Sequence, residues 1–304
     1  MIRKAIESDK KAIYHMWKEI FAQDDNGYTD YYFECLFKCE NTWVVDDGGE
    51  IIATLQRNPH IMYFHGMPIK TSMILGVATL PSRRKEGHMH ALMREALKQA
   101  ECEEMITLIQ AYDPSLYKEF GFSKIYYRNR IAYHRNQIPV YTHLEITSEV
   151  KAEELANVYQ AFTKRFDGFF VRDRAYYENY FKEISAEGGQ IVGYRNKNGE
   201  LEGYMVYYTE KFTCEIKEII YLNSWAFLAL AGYGATKCMK VMIHTSSSEQ
   251  ILKLLPGGVV TQYQFAMARV NDYSIFNILF DTSVQNVEEA FEICTRPLFL
   301  HEYA

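Results

Sequence analysis

The chain has 304 residues, a formal net charge of −6 and 48% hydrophobic residues. That length exceeds what one core usually organises, so two or three domains are expected, and the apolar content is enough to fill them. The negative balance argues against a nucleic-acid partner, no apolar run reaches the roughly 20 residues that cross a bilayer, and Met1-Ile2-Arg3-Lys4 places charge where a signal peptide needs its apolar stretch, so a cytoplasmic protein without a membrane partner is expected.

Met1 to Ile6 reads as a first strand, and Ser8 or Asp9 caps a helix that runs to about Phe21 and ends in the turn Asp24-Asp25-Asn26-Gly27. A second helix follows near Thr29 to Phe37. Trp43 to Val45, Glu50 to Gln56 and Ile61 to Tyr63 have strand patterning, with Asp46-Asp47-Gly48-Gly49 as a hairpin turn. The apolar run Met73 to Thr79 completes this meander, and Pro81 stops it.

The turn that follows, Pro81-Ser82-Arg83-Arg84-Lys85-Glu86-Gly87, is basic and opens a helix whose apolar residues Met89, Leu92, Met93, Ala96, Leu97 and Ala100 recur at helical spacing. Free amides at a helix start, with a dipole worth about half a positive charge, favour an anion, and Gly87 lets backbone approach it closely. The expected anion site comprises Arg84, Lys85, Glu86, Gly87, His88, Met89 and His90. Val77, Ala78 and Thr79 end the strand that leads into this site and bring backbone groups already fixed by it.

Met105 to Ala111 reads as another strand, followed by Tyr112-Asp113-Pro114-Ser115-Leu116-Tyr117-Lys118-Glu119-Phe120-Gly121-Phe122. His134 to Val150, containing Pro139, is the expected domain boundary. Beyond it Lys151 to Phe166 and Asp173 to Ile184 pattern as helices, and Gln190 to Arg195, Leu201 to Tyr208 and Glu215 to Tyr221 as strands. Gly232-Tyr233-Gly234 has no arginines beside it and is read as a turn. Thr261 to Val270 is a strand and Val287 to Cys294 a short helix. The six cysteines are too dispersed for a zinc ribbon or a disulfide framework, and no metal is expected.

Two stretches together, Gly76-Val77-Ala78-Thr79 with its arginine turn and Tyr117 to Phe122, resemble the GNAT N-acetyltransferases. Arg84 and Gly87 match the family's Arg/Gln-x-x-Gly-x-Gly/Ala pattern, with Met89 at its small position, and Tyr117 to Phe122 matches Tyr-x-x-x-Gly-Phe. Gly168 with Arg172, and Met267-Ala268-Arg269-Val270-Asn271-Asp272, narrow the resemblance to the Eis-like branch. It implies an α/β fold of mixed α+β sheets: two tandem GNAT folds, the second degenerate, and a short C-terminal α+β segment. The implied domains are an acetyltransferase domain at 1–140, a degenerate GNAT-like domain at 141–255 and a shortened sterol-carrier-like segment at 256–304.

The resemblance also implies acetyl-CoA as co-substrate, a small-molecule amine as partner, a homo-oligomer, Tyr117 as the acid that protonates the departing thiolate, and the chain-end carboxylate, here at Ala304, as base. Asp25 or Glu34 acting through water are fallback bases. The expected reaction is acetyl transfer to a primary amine of an aminoglycoside-like or polyamine-like acceptor. Acetylation of protein lysines or N-termini, and non-catalytic acyl-CoA sensing, are the alternatives.

Overall fold

Continuous burial along Thr42 to Val45 and Ile51 to Arg57, strands covered on both faces, builds a hairpin closed at Gly48 and Gly49, both at positive φ. The computed structural model describes residues 1–23, 25–141 and 145–302. Two compact units emerge: unit 1 takes Met1–Tyr126, Ala266–Thr295 and Glu302, and unit 2 takes Tyr127–Phe265 and Arg296–His301. In chain order the first elements are β1 (Ile2–Lys4), α1 (Lys10–Ile20), α2 (Tyr28–Tyr31, continued by a π turn Tyr32–Leu36), β2 (Thr42–Asp47), β3 (Glu50–Phe64) and β4 (Met67–Thr79). Next come α3 (His88–Glu103), β5 (Ile106–Ile109) and β6 (Ser123–His134).

The remaining elements are β7 (Glu145–Thr147), α4 (Ala152–Thr163), β8 (Phe169–Phe170), α5 (Arg174–Ala186), β9 (Gln190–Arg195), β10 (Leu201–Glu210), β11 (Thr213–Tyr221), α6 (Ser224–Lys237) and β12 (Lys240–Ser246). The chain finishes with β13 (Val259–Val270), α7 (Tyr273–Phe280) and α8 (Val287–Glu292). β13 begins in unit 2 and ends in unit 1, and the segment after α8 is likewise divided between the units.

In unit 1 the sheet runs β1–β2–β3–β4–β5–β13, antiparallel except for the parallel pair β4–β5. The apolar stripe Leu92, Met93, Ala96, Leu97 and Ala100 of α3 is buried, packing with Ile52, Leu55, Ile74 and Ile109 of the sheet. In unit 2 the order is β6–β12–β11–β10–β9–β7, and again one neighbouring pair, β11–β12, is parallel. Both units are mixed α/β folds, as expected.

Two local expectations are corrected, and two elements, α6 and β6, carry no sequence signal. Glu50–Gln56 and Ile61–Tyr63 are one strand, because the chain stays extended through Pro59, which stands opposite Ser72 of β4. Gly232-Tyr233-Gly234 lies inside α6 and is no turn: a Cβ at Gly232 would come within 2.7 Å of the Pro139 carbonyl oxygen, so the glycine permits close approach of backbone. α6 itself gives no amphipathic signal because Ala226, Phe227, Ala229, Leu230 and Ala231 bury nearly its whole circumference. β6 escapes a sequence reading because it carries a buried cation, Arg128, among its inward residues.

Candidate functional site

The site begins where two parallel strands part. β4 and β5 pair over Thr71–Ile74 and Ile106–Ile109 only, and β4 then continues five residues alongside β3 without β5. Leu80 N–H donates to the Ile52 carbonyl, so by the alternation of an antiparallel ladder the amides of Val77 and Thr79 point away from β3, into the gap. The register with β3 slips at this point: Thr54 faces Ala78 but Gln56 faces Leu75, leaving a bulge at Gly76 and Val77. Gly76 sits at φ +59, and a Cβ there would fall 1.9 Å from the Trp17 ring. Only glycine fits.

After Thr79, a 3-10 turn at Pro81–Arg83 leads through Lys85, at φ +67, to Gly87, at φ +85, which precedes α3. No side chain caps α3, and a Cβ at Gly87 would meet open space. The first amides of α3 therefore remain available to an anion. Arg84 lies here, exposed, with its Nε donating to the Thr79 carbonyl at 3.3 Å, and Lys85 is also exposed.

Other expected members of the turn are engaged elsewhere. Arg83 binds Asp47 at 2.9 Å and Glu86 at 3.1 Å, and Glu86 also meets His88 Nε2 at 3.0 Å. The His88 hydrogen bond, followed by that of Arg83, holds the Glu86 carboxyl below the usual carboxylate range. Glu86 thus shapes the turn through its neighbours, and its carboxylate is no anion ligand. Met89 packs against the hydrophobic core, which keeps its bulk out of the turn despite its place in the motif. His90 Nε2 lies 2.6 Å from Glu119 Oε1, tying the first turn of α3 to the Pro114–Phe120 turn that carries Tyr117.

That second turn is capped by Asp113, whose carboxylate accepts from the Ser115 amide and hydroxyl, and it ends at Gly121 at φ +83. Tyr117 is 8% exposed, with its ring edge-on to Phe122 at 6.4 Å. Burial pushes its phenol up to about 12, so it holds its proton at neutral pH. Just past β5, Gln110 Nε2 donates to the Glu302 carbonyl at 2.6 Å, bringing the tail to the end of β5 where the strands part. Ala304 lies outside the described residues.

Of the fallback bases, Asp25 is already committed. It holds the Lys18 ammonium and the Thr29 amide, both at 2.7 Å, and its carboxyl is held low by those partners against the opposing effect of burial. Glu34 is exposed. Sequence reasoning missed Trp17 and Gln56, which fit the bulge, and Gln110, which joins separate segments, as well as the pairing of the expected His90 with Glu119. No local motif marks any of them.

Residues 1–125 match an acetyltransferase (GNAT) domain family, and residues 168–270 match a second acetyltransferase (GNAT) domain family. No curated protein sequence matches the chain. Among solved structures, a conserved Enterococcus faecalis V583 protein described as a probable N-acyltransferase superposes with TM-score 0.77 at 20% identity, covering 89% of this chain and 72% of that one. A GCN5-related N-acetyltransferase from Anabaena variabilis gives 0.74 at 17% identity, covering 90% and 73%. Eis1 from Mycobacterium abscessus gives 0.71 at 14%, covering 91% and 75%. At such identities the likeness shows the fold, while the two domain matches span most of the chain. The chain belongs to the GNAT family, carrying two of its domains in tandem, and is an acyl-CoA-dependent acetyltransferase.

Proposed function

We propose that unit 1 transfers acetyl from acetyl-CoA to a primary amine of a small cationic acceptor, aminoglycoside-like or polyamine-like. The observation that carries this reading is the parted β4–β5 pair. It presents two inward backbone amides beside an uncapped helix start with Arg84 on one side, while the His90–Glu119 contact ties that helix to the buried Tyr117 turn. In this reading the pyrophosphate lies on the α3 amides with Arg84 and Lys85, and the backbone of His88, Met89 and His90 serves where their side chains do not.

The amine attacks the thioester carbonyl carbon, forming the C–N bond. The Val77 and Thr79 amides donate hydrogen bonds to the oxygen on which negative charge gathers, and collapse breaks the C–S bond. The amine's proton passes to a carboxylate, which we assign to the chain end at Ala304, and the thiolate takes its proton from Tyr117, which is later reprotonated from water. The Gln110–Glu302 contact supports this placement, since the tail is held two residues before Ala304.

A cationic acceptor is in keeping with the formal net charge of −6. We assign the chain to the Eis-like branch. Thiol release from acetyl-CoA, measured with spermidine, kanamycin and a lysine peptide, tests the reading. Turnover with the two small amines is expected, and Tyr117→Phe should slow it at least about a hundredfold with acetyl-CoA affinity unchanged. Preference for the peptide would move the acceptor to protein lysines, and binding without release for any amine would leave a sensor.

A further inference from the structure

The bulge at Gly76 and Val77 is held from one side by a buried amide that the sequence motif does not include. Gln56, fully buried on β3, stands opposite Leu75, where the β3–β4 register has slipped. In the orientation that satisfies both ends of its amide, Oε1 accepts from the Thr54 hydroxyl at 2.9 Å. Nε2 then donates to the Gly76 carbonyl at 3.1 Å and the Leu75 carbonyl at 3.2 Å. Thr54 is itself fully buried. Trp17, stacked on Tyr32 at 4.7 Å, packs beside the Gln56 amide against Gly76.

A bulge interrupts the ladder, so its carbonyls must find other donors or remain unpaired inside the protein. A single side-chain amide satisfies two of them here. Holding the Leu75 and Gly76 carbonyls fixes the peptide planes on either side of the kink, and the plane after Gly76 carries the Val77 amide.

We infer that Gln56 is a positioning residue: by binding the Leu75 and Gly76 carbonyls it sets the direction in which the Val77 and Thr79 amides meet the acyl-pantetheine arm. This rests on the reading of the gap as the acyl-CoA cleft. Gln56 itself touches no substrate. Leu and Met match its size without its hydrogen bonds, so they leave the core filled and release the two carbonyls.

Calorimetric titration of wild type, Gln56→Leu and Gln56→Met with acetyl-CoA, and separately with adenosine 3′,5′-bisphosphate, decides the matter. The second ligand keeps the nucleotide and lacks the pantetheine arm. The expected result is at least about tenfold weaker acetyl-CoA binding in both variants, with bisphosphate affinity unchanged from wild type. Unchanged affinity for both ligands overturns the role of Gln56 and leaves the cleft in place. Equal weakening of both shows a general structural role and also overturns it. A wild type that binds neither ligand fails differently, because it removes the cleft on which the inference rests.

Discussion

The two units open the same kind of gap and treat it in opposite ways. In unit 1 the parallel ladder covers Thr71–Ile74 and Ile106–Ile109; in unit 2 it covers Thr213–Ile216 and Lys240–Ile243, and in both the strands then diverge. Unit 1 follows its gap with a glycine-containing basic turn and an uncapped helix. Unit 2 passes from β11 straight to Asn223, whose side chain accepts from the Ala226 amide and so caps α6. Its gap is also filled. The tail Arg296–His301 touches both diverging strands: Ser246 Oγ of β12 donates to the Leu298 carbonyl at 3.0 Å, and His301 Nδ1 lies 3.8 Å from Glu218 of β11.

The filling is well anchored. Asp167 N–H donates to the Pro297 carbonyl at 2.9 Å, Phe299 N–H donates to the Asp167 carbonyl at 3.0 Å, and the fully buried Phe299 ring packs on Phe162 and Phe166. Glu218 meets Arg172 through both carboxylate oxygens at 2.8 and 3.0 Å, so the charge beneath the tail is paired. A parted parallel pair is therefore only an opportunity. In the proposed reading it becomes a ligand site where, as before α3, a turn leaves helix amides uncapped.

The strongest way to break this comparison is Gly76→Ala. The new methyl collides with Trp17 at a backbone angle alanine avoids, so a loss of about 4 kcal/mol or more in stability is expected, with acetyl-CoA binding abolished. Thermal melting and calorimetry check it, and a variant that folds and binds normally would show the bulge to be dispensable. Phe299→Ala removes a fully buried ring from unit 2 and is expected to cost about 3 kcal/mol or more in denaturant titration. The acetyl-CoA stoichiometry should stay at one per chain in wild type and variant alike; two per chain would mean that unit 2 also keeps a working cleft.

Smaller effects sharpen the contrast. Arg84→Ala should weaken acetyl-CoA about tenfold, whereas Arg83→Ala, losing a guanidinium already committed to Asp47 and Glu86, should change it by less than about threefold. Equal losses would contradict the division of labour within the turn. Lastly, His301 and His244 of unit 2 are held below the ordinary 6.5, chiefly by burial, with Arg128 also disfavouring their charge and, at His244, Glu215 opposing the shift. The unfolded chain thus takes up these protons first. The stability that neutral His301 contributes is complete above 6.5 and is lost as pH falls through and below that value. Melting curves of wild type and His301→Phe between about pH 7 and 5 should differ in slope, the variant being flatter. Parallel curves would remove His301 from the account.

Some features were legible because they are local. The Met73–Thr79 run, Pro81, the cations of the turn, Gly87 and the periodic apolar face of α3 lie within one short stretch, and each acts through its own backbone or nearest neighbours. Tyr117 was singled out only by the Tyr-x-x-x-Gly-Phe resemblance, since its spacing alone reads as a packed aromatic. Other features depend on partners far apart in sequence: Gln56 matters through Leu75 and Gly76, His90 through Glu119, and Gln110 through Glu302. A pattern read along the chain has no access to such pairs.

By itself the sequence determined which segment could hold an anion, because free helix amides, a glycine at positive φ and neighbouring arginines are properties of consecutive residues. Tertiary structure decided which of two similar gaps the segment Arg296–His301 fills, which of two adjacent arginines remains available, and which carboxylates are already spent on Lys18. Those outcomes depend on what fills a space and what pairs with a charge, and both are set by residues brought together only when the chain folds.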